Sequence, residues 1–343
     1  MDVDHMERNI VGVTTADSTP IPKHSPVGAP AGGRKPRLHG VYPVFNTLFD
    51  ENEALDLDGL ERELNWLAEQ GVDGIVMGMV SEILRLSPSE RTDVARVVCS
   101  VARVHDLDSV ISVGAESTFL AVRLARSAEE LGASALMAIP PIAVDLAEPE
   151  ITAYFTEILD ATSIPLVVQD ASGYVGKPFS IELQAGLLER YGDRVLFKPE
   201  AAPIGPRLTA LRDASSGRAR VFEGTGGISL IDSYRRGIVG TMPGTDLSWA
   251  LVALWRMLES GDFAGAYEIA GPLVSLINIQ SSLDSFVVVQ KHLLHRQGVI
   301  DRTVSRRPLS MKLDAETLAE VDRLFDQLAE RYSRLTRRGK GGL

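Results

Sequence analysis

Cysteine is almost absent. Cys99 is the single one among 343 residues, so no intrachain disulfide can form, and a reducing, cytoplasmic compartment is the expected setting. Long apolar runs are missing too: none approaches the roughly 20 residues that a bilayer-crossing helix needs, so no membrane span is expected. Positive charge is in deficit, with 35 Lys and Arg against 46 Asp and Glu and a net charge of −11. That balance argues against nucleic acid or an anionic membrane as the main partner. It leaves room for an anionic small molecule, because a local pocket can oppose the global field. Lysine is scarce, with residues 23, 35, 177, 198, 291, 312 and 340 making up the full set of seven.

What is present is a globular composition, 45% hydrophobic and 24% charged, long enough for one large domain or two ordinary ones. Residues 1–38 lack an apolar signal core and are rich in Pro, Gly, Ser and Thr, and are expected to form a mobile tail. Residues 337–343 carry the same expectation.

From residue 39 a two-beat rhythm sets in. Short β-prone runs occur at 40–45, 74–77, 109–113, 135–139, 165–168, 195–197, 220–222 and 238–242. Between them lie stretches with helical apolar spacing, such as Leu57, Leu60, Leu64 and Leu67. Ser87-Pro88-Ser89-Glu90 has capping-box spacing with proline at the first helical position. Eight such units over about 220 residues match a closed (β/α)8 TIM barrel. The competing doubly wound sheet usually has a glycine-rich turn after its first strand, and Val44 to Leu48 contains no glycine. The expected class is therefore α/β, a (β/α)8 barrel over residues 39–260 with a C-terminal helical appendage over 261–336. Helical stretches at about 246–277, 280–297 and 314–336 make up the last helix of the barrel and that appendage.

Catalytic groups of such barrels project from the C-terminal ends of the strands. Among the lysines, Lys198 alone ends an apolar strand, in Val195-Leu196-Phe197-Lys198-Pro199. Period-two alternation puts it on the face of Leu196, and Pro199 disfavours helix at Lys198 and stops the strand. An amine enclosed by apolar walls loses water's stabilisation of its ammonium form, and the neutral amine is the species that attacks a ketone. By position alone such a lysine can equally snorkel to solvent.

Several motifs carry a family resemblance. They are Gly40-Val-Tyr-Pro-Val-Phe-Asn-Thr47, Gly71-Val-Asp-Gly74, Gly78-Met-Val-Ser81-Glu82, Leu86-Ser-Pro-Ser-Glu90-Arg91 and Phe197-Lys198-Pro-Glu200. In order and spacing they resemble the dihydrodipicolinate synthase and N-acetylneuraminate lyase family, from about residue 39 to about 336. Met137-Ala-Ile-Pro-Pro141, Gln169-Asp170-Ala171 and Glu223-Gly224 are closer to its 2-keto-3-deoxy-L-arabinonate dehydratase branch. The resemblance implies a barrel, a Schiff-base lysine at Lys198, usually a homotetramer, and no metal or organic cofactor. It places the keto-acid carboxylate at the backbone N–H groups of Val80 and Ser81. Thr47, Gln169, Asp170, Glu200, Gly224 and Met242 fall at the strand ends that line the substrate site. Asp170 can alternatively order the following turn.

One departure stands out. The family carries a proton-relaying tyrosine after the fourth strand, where this chain has Ile142. Isoleucine cannot move a proton, so cleavage or dehydration needs another acid–base group. Tyr42, Tyr174, Asp170, Glu200 and an ordered water are the candidates, and the sequence does not choose among them. The expected activity is that of a lyase acting on a small 2-keto acid, such as a 2-keto-3-deoxy sugar acid, through an imine at Lys198. The contrasting reading is a non-catalytic keto-acid-binding or regulatory protein. His292 and His295 share a helix face but have no acidic residue at ligand spacing. The scarcity of histidine at strand ends weakens a metal-dependent aldolase.

Overall fold

The β-prone runs become short parallel strands, each followed by a helix whose apolar stripe faces them. The computed structural model describes residues 37–340. The first four units are β1 Gly40–Val41 with α1 Leu57–Glu69, β2 Gly74–Met77 with α2 Pro88–Val104, β3 Asp108–Ser112 with α3 Thr118–Glu130, and β4 Ala135–Ala138 with α4 Glu148–Ala161. Then come β5 Leu166–Asp170 with α5 Ile181–Tyr191, and β6 Val195–Pro199 with α6 Ile204–Ala214. β7 Phe222–Glu223 with α7 Leu230–Arg235 and β8 Gly240–Thr241 with α8 Ser248–Ser260 complete the eight. The helix start read at Ser87 is present: Ser87 N donates to Glu90 Oε2 at 2.8 Å, Glu90 N donates back to Ser87 Oγ at 3.3 Å, and Pro88 opens α2.

Two ladders, β2-β3-β4-β5-β6 and β1-β8-β7, are joined by parallel bridges from Val44 to Val76 and from Phe197 to Val221. The sheet therefore closes on itself, which leaves no edge strand exposed. β1 is shorter than its β-prone run because Pro43 has no N–H to add to the ladder. The chain nonetheless stays in register, with Tyr42 N bonded to Thr241 O at 2.9 Å and Val44 N to Pro243 O at 2.7 Å.

Alternation sorts the strand side chains into two layers. Val76, Val110, Met137, Val167 and Leu196 point inward and pack with Tyr42, Phe222 and Met242 in the barrel interior. Ile75, Met77, Ile111, Leu136, Val168 and Phe197 point outward, into the larger core between strands and helices. At the N-terminal end of the strands, the Asp108 carboxylate accepts from Arg37 N at 2.8 Å, Leu38 N at 3.0 Å and Tyr42 Oη at 2.7 Å. Leu38 is buried in the interior cluster. These contacts correct the expected tail boundary: residues 37 and 38 belong to the barrel floor, while residues 1–36 lie outside the described residues.

Three further helices follow, α9 Phe263–Asn278, α10 Leu283–Arg296 and α11 Ala315–Lys340. The stretch expected over 246–277 is divided at Gly261, whose φ of +81° is left-handed and ends α8. Asp262 then caps the next helix by accepting from Gly265 N at 2.9 Å. α11 continues past residue 336, so the flexible tail expected over 337–343 is corrected for 337–340. Leu335 still packs against the core, and Arg337 Nε bonds back to Ser333 O at 3.1 Å. Residues 341–343 lie outside the described residues. No single helix among the described residues is long and apolar enough to cross a membrane.

Candidate active site

Closing the barrel brings the C-terminal ends of its strands around one cavity, with about 440 Å³ of empty space when the solvent at its open mouth is counted. Val44 lines it after β1, Met79 and Val80 after β2, Gln169 on β5, Lys198 and Glu200 at the end of β6, Gly224 after β7, and Met242 to Gly244 after β8. Tyr174 enters from the loop between β5 and α5. Leu283, Phe286 and Gln290 of α10 cover the mouth.

Lys198 lies on the inward face of β6, two residues from Leu196, and is 5% exposed. Its Nζ is 3.0 Å from Glu200 Oε1. The same alternation that turns Lys198 inward turns Glu200 inward, and β5 sets Gln169 beside Lys198 in register. Gln169 Nε2 bridges both Glu200 oxygens at 3.3 and 3.2 Å. Burial pushes the Glu200 carboxyl above its usual range, against the opposing pull of Lys198 and Gln169. A buried amine thus faces a buried carboxyl whose proton is held more tightly than in water.

Gly224 is where a side chain would not fit. A Cβ there would stand 2.8 Å from Glu200 Cγ and 3.1 Å from Lys198 Cε. Glu223, just before it, accepts from Thr225 N at 2.7 Å, from the Thr225 hydroxyl, and from Thr241 Oγ1 at 2.7 Å. The loop after β7 therefore engages the Thr225 donors with a protein carboxylate. Tyr174 packs edge-to-face on Phe286, with ring centroids 5.9 Å apart. Burial first, then the Glu200 and Glu223 carboxylates, hold its phenol protonated above the ordinary range.

The structure brings Lys198, Val80, Gln169, Glu200, Gly224 and Met242 together around the cavity and places three other expected residues elsewhere. Ser81 is fully buried, with its hydroxyl donating to Phe45 O at 2.7 Å and accepting from Gly78 N at 3.1 Å. Its own N–H bonds Gly78 O at 3.0 Å within a tight turn, so it is not directed at a ligand. Thr47 Oγ1 donates to Ser81 O at 2.6 Å. Asp170 points out of the barrel, because its neighbour Gln169 points in. It accepts from Ser172 N and Phe179 N, both at 3.1 Å, and lies 3.6 Å from the Arg207 guanidinium. In this structure all three make their hydrogen bonds within the turns that carry the site.

Ile142 packs against the small cluster of Met79, Ile139 and Ala171, together with Val175 and Leu283. Tyr42 is bonded to Asp108 at the opposite end of the barrel, away from the cavity. His292 Nε2 pairs with Asp322 Oδ1 at 2.9 Å, and no metal-ligating group of three occurs among the described residues.

Sequence reasoning missed the residues of α10. The apolar stretch from Leu283 to Leu294 signalled burial, but only the folded chain shows Leu283, Phe286 and Gln290 over the mouth. Lys291 carried no signal, yet it is fully buried, with Nζ 2.5 Å from Glu82 Oε1.

Comparison with known proteins places this geometry. The L-2-keto-3-deoxyarabonate dehydratase of Azospirillum brasilense is 27% identical over 312 residues, covering 87% of this chain and 98% of its own. The N-acetylneuraminate lyase of Rhizobium meliloti is 32% identical over a shorter segment of 133 residues, 38% of this chain and 44% of the lyase. Among solved structures, dihydrodipicolinate synthase from Rhodopseudomonas palustris superposes with a TM-score of 0.77 at 24% identity, covering 86% of this chain and 99% of its own. YagE, a prophage protein of E. coli K12 in complex with pyruvate, superposes at 0.77 and 19% identity, covering 85% and 99%. A model of the dihydrodipicolinate synthetase family matches residues 37–328, nearly the whole of the described chain, and the protein belongs to that family.

Proposed function

We propose that this chain is a class I lyase that captures a small 2-keto acid as an imine on Lys198 and then removes water from it or cleaves it. The observation that carries the reading is the buried amine of Lys198 at the floor of the strand-end cavity, 3.0 Å from the Glu200 carboxyl. A binding site needs no enclosed amine, whereas imine chemistry does. The imine draws electrons from C3, so a proton there becomes removable. Either a β-hydroxyl then leaves as water, or the bond from C3 to C4 breaks.

Lys198 is the one cation among the described residues that line the cavity. That supports a monoanionic substrate such as a 2-keto-3-deoxy sugar acid rather than a phosphorylated one. With the N–H of Ser81 engaged, Val80 is the backbone donor of the expected pair that still borders the cavity. The full-length similarity to the arabinonate-type dehydratase, together with Gln169, favours dehydration over cleavage. A homotetramer is the assembly we propose with this activity.

The test is reduction with borohydride in the presence of pyruvate or 2-keto-3-deoxy acids, followed by peptide mapping. An adduct on Lys198 is expected, and both adduct and turnover should vanish in Lys198→Ala and in Lys198→Arg, whose guanidinium stays protonated. Lyase turnover without any adduct would overturn the mechanism. An adduct with no turnover on any keto acid would favour the non-catalytic binding protein.

A further inference from the structure

Imine chemistry needs a group that moves protons between the substrate and solvent or enzyme, and at position 142 the chain has only an isoleucine in an apolar cluster. Resting on the Lys198 imine reading, we propose that Glu200 is the catalytic proton carrier, taking protons from and returning them to the substrate held on Lys198.

Tyr42, Asp170 and Glu223 are set aside by geometry, whereas Tyr174 lines the cavity against Phe286 and is the rival that the experiment below tests. Tyr42 is engaged with Asp108 at the far end of the barrel. Asp170 faces outward and holds the loop from Ser172 to Phe179. Glu223 has both oxygens engaged, by Thr225 and by Thr241. Glu200 alone among these carboxylates touches the reacting nitrogen, and its remaining partner is the neutral amide of Gln169. Among the described residues no arginine lines the cavity to hold it permanently ionised. Burial, which favours its protonated form, makes both the acid and the base accessible to the same side chain. Gly224 keeps the space beside it clear.

The steps balance. The Lys198 amine attacks C2, and the resulting hydroxyl leaves as water with the proton of Glu200, giving the iminium and a Glu200 carboxylate. That carboxylate takes a proton from C3, the C–H electrons form the enamine, and Glu200 is again protonated. For dehydration, the enamine pair forms a C3=C4 bond as the C4 hydroxyl departs with the Glu200 proton as water. For cleavage, the Glu200 carboxylate instead takes the proton of the C4 hydroxyl while the C3–C4 pair moves into the iminium, and Glu200 then protonates C3. Water releases the product and restores the amine.

Exchange of the pyruvate methyl protons in D2O, followed by NMR, reads the C3 step without knowledge of the true substrate. Wild type should exchange them, and Glu200→Gln should reach the borohydride adduct on Lys198 more slowly, on long incubation, while exchange measured on the formed imine slows about 100-fold or more. Glu200→Asp, which keeps the carboxylate one methylene farther back, should fall between the two, and covers the case in which the amide variant fails to fold. Tyr174→Phe, which removes the rival phenol of the cavity, should lose clearly less exchange than Glu200→Gln. Wild-type exchange in Glu200→Gln, the large loss appearing in Tyr174→Phe instead, or a wild-type adduct with no exchange at all would overturn the assignment. Absence of any wild-type adduct would instead overturn the imine reading beneath it.

Discussion

Lys291 Nζ lies 2.5 Å from Glu82 Oε1, and both side chains are wholly excluded from solvent. The ammonium also donates to Val304 O at 2.7 Å and sits 4.9 Å from the centre of the Phe49 ring. Glu82 is held at a φ of +53°, directly after the turn that carries Val80 to the cavity. The pair therefore fastens α10, which covers the mouth, to the loop that borders the substrate site. Removing one partner leaves a buried charge without its counter-ion. Lys291→Met should lose about 3–5 kcal/mol of stability in urea unfolding, and Lys291→Met combined with Glu82→Gln should recover part of that loss. Equal loss in the single and double variants would show that packing rather than charge is at stake.

Below this pair lie two more buried acids. Burial raises Glu63 to about 8, against an N–H from Asn46 and the attraction of Lys291, and raises Asp246 to about 7. An acid with a raised folded-state pKa is protonated in the native chain at pH values where the unfolded chain has already released that proton. Below about pH 4 the two states bind equal protons, so nothing is lost there. As pH climbs from the ordinary carboxylate range to about 8, stability falls, and it levels off above. Each unit of upward shift is worth on the order of 1 kcal/mol. The melting temperature should thus drop between pH 5.5 and 8.5, and Glu63→Gln should flatten that slope. A slope unchanged in Glu63→Gln would remove Glu63 from the account.

Gly224 tests how closely the amine and carboxyl must be held. A methyl group at this position meets Glu200 Cγ at 2.8 Å, too close for either to stay in place. Gly224→Ala should slow pyruvate trapping by roughly tenfold or more, because displacements of about 1 Å at reacting groups are that costly. Its melting temperature should move little, since both displaced side chains can give way toward the cavity. Trapping at the wild-type rate would mean the pair tolerates displacement.

Ile142→Tyr would place a phenol behind Met79 and Leu283, next to the cavity but outside its present lining. The expected outcome is a changed ratio of dehydrated to cleaved product, read by NMR on a 2-keto-3-deoxy acid, rather than simple gain or loss of rate. Identical product ratios in variant and wild type would show that position 142 does not reach the chemistry.

The barrel is legible in the chain alone, because alternation and helical periodicity are local and each of the eight units repeats them. The inward face of Lys198 is legible too, since it sits two residues from Leu196 on one strand, while Glu200 is readable only as a strand-end candidate. The break at Gly261 is not legible, because the stretch over 246–277 is continuous in apolar content and a lone glycine does not by itself end a helix. The remainder comes from contacts between distant segments. Gln169 and Asp170 look alike as polar strand-end residues, and register with β6 sends one to Glu200 and the other to the outer loop. The donors of Ser81 and Thr47 go to backbone carbonyls within a tight turn, a pairing that strand-end position does not show. Lys291 and Glu82 are 209 positions apart, and no local pattern marks a lysine on an amphipathic helix as buried. Its burial follows from where α10 crosses the barrel mouth, a long-range packing outcome that sequence spacing does not encode.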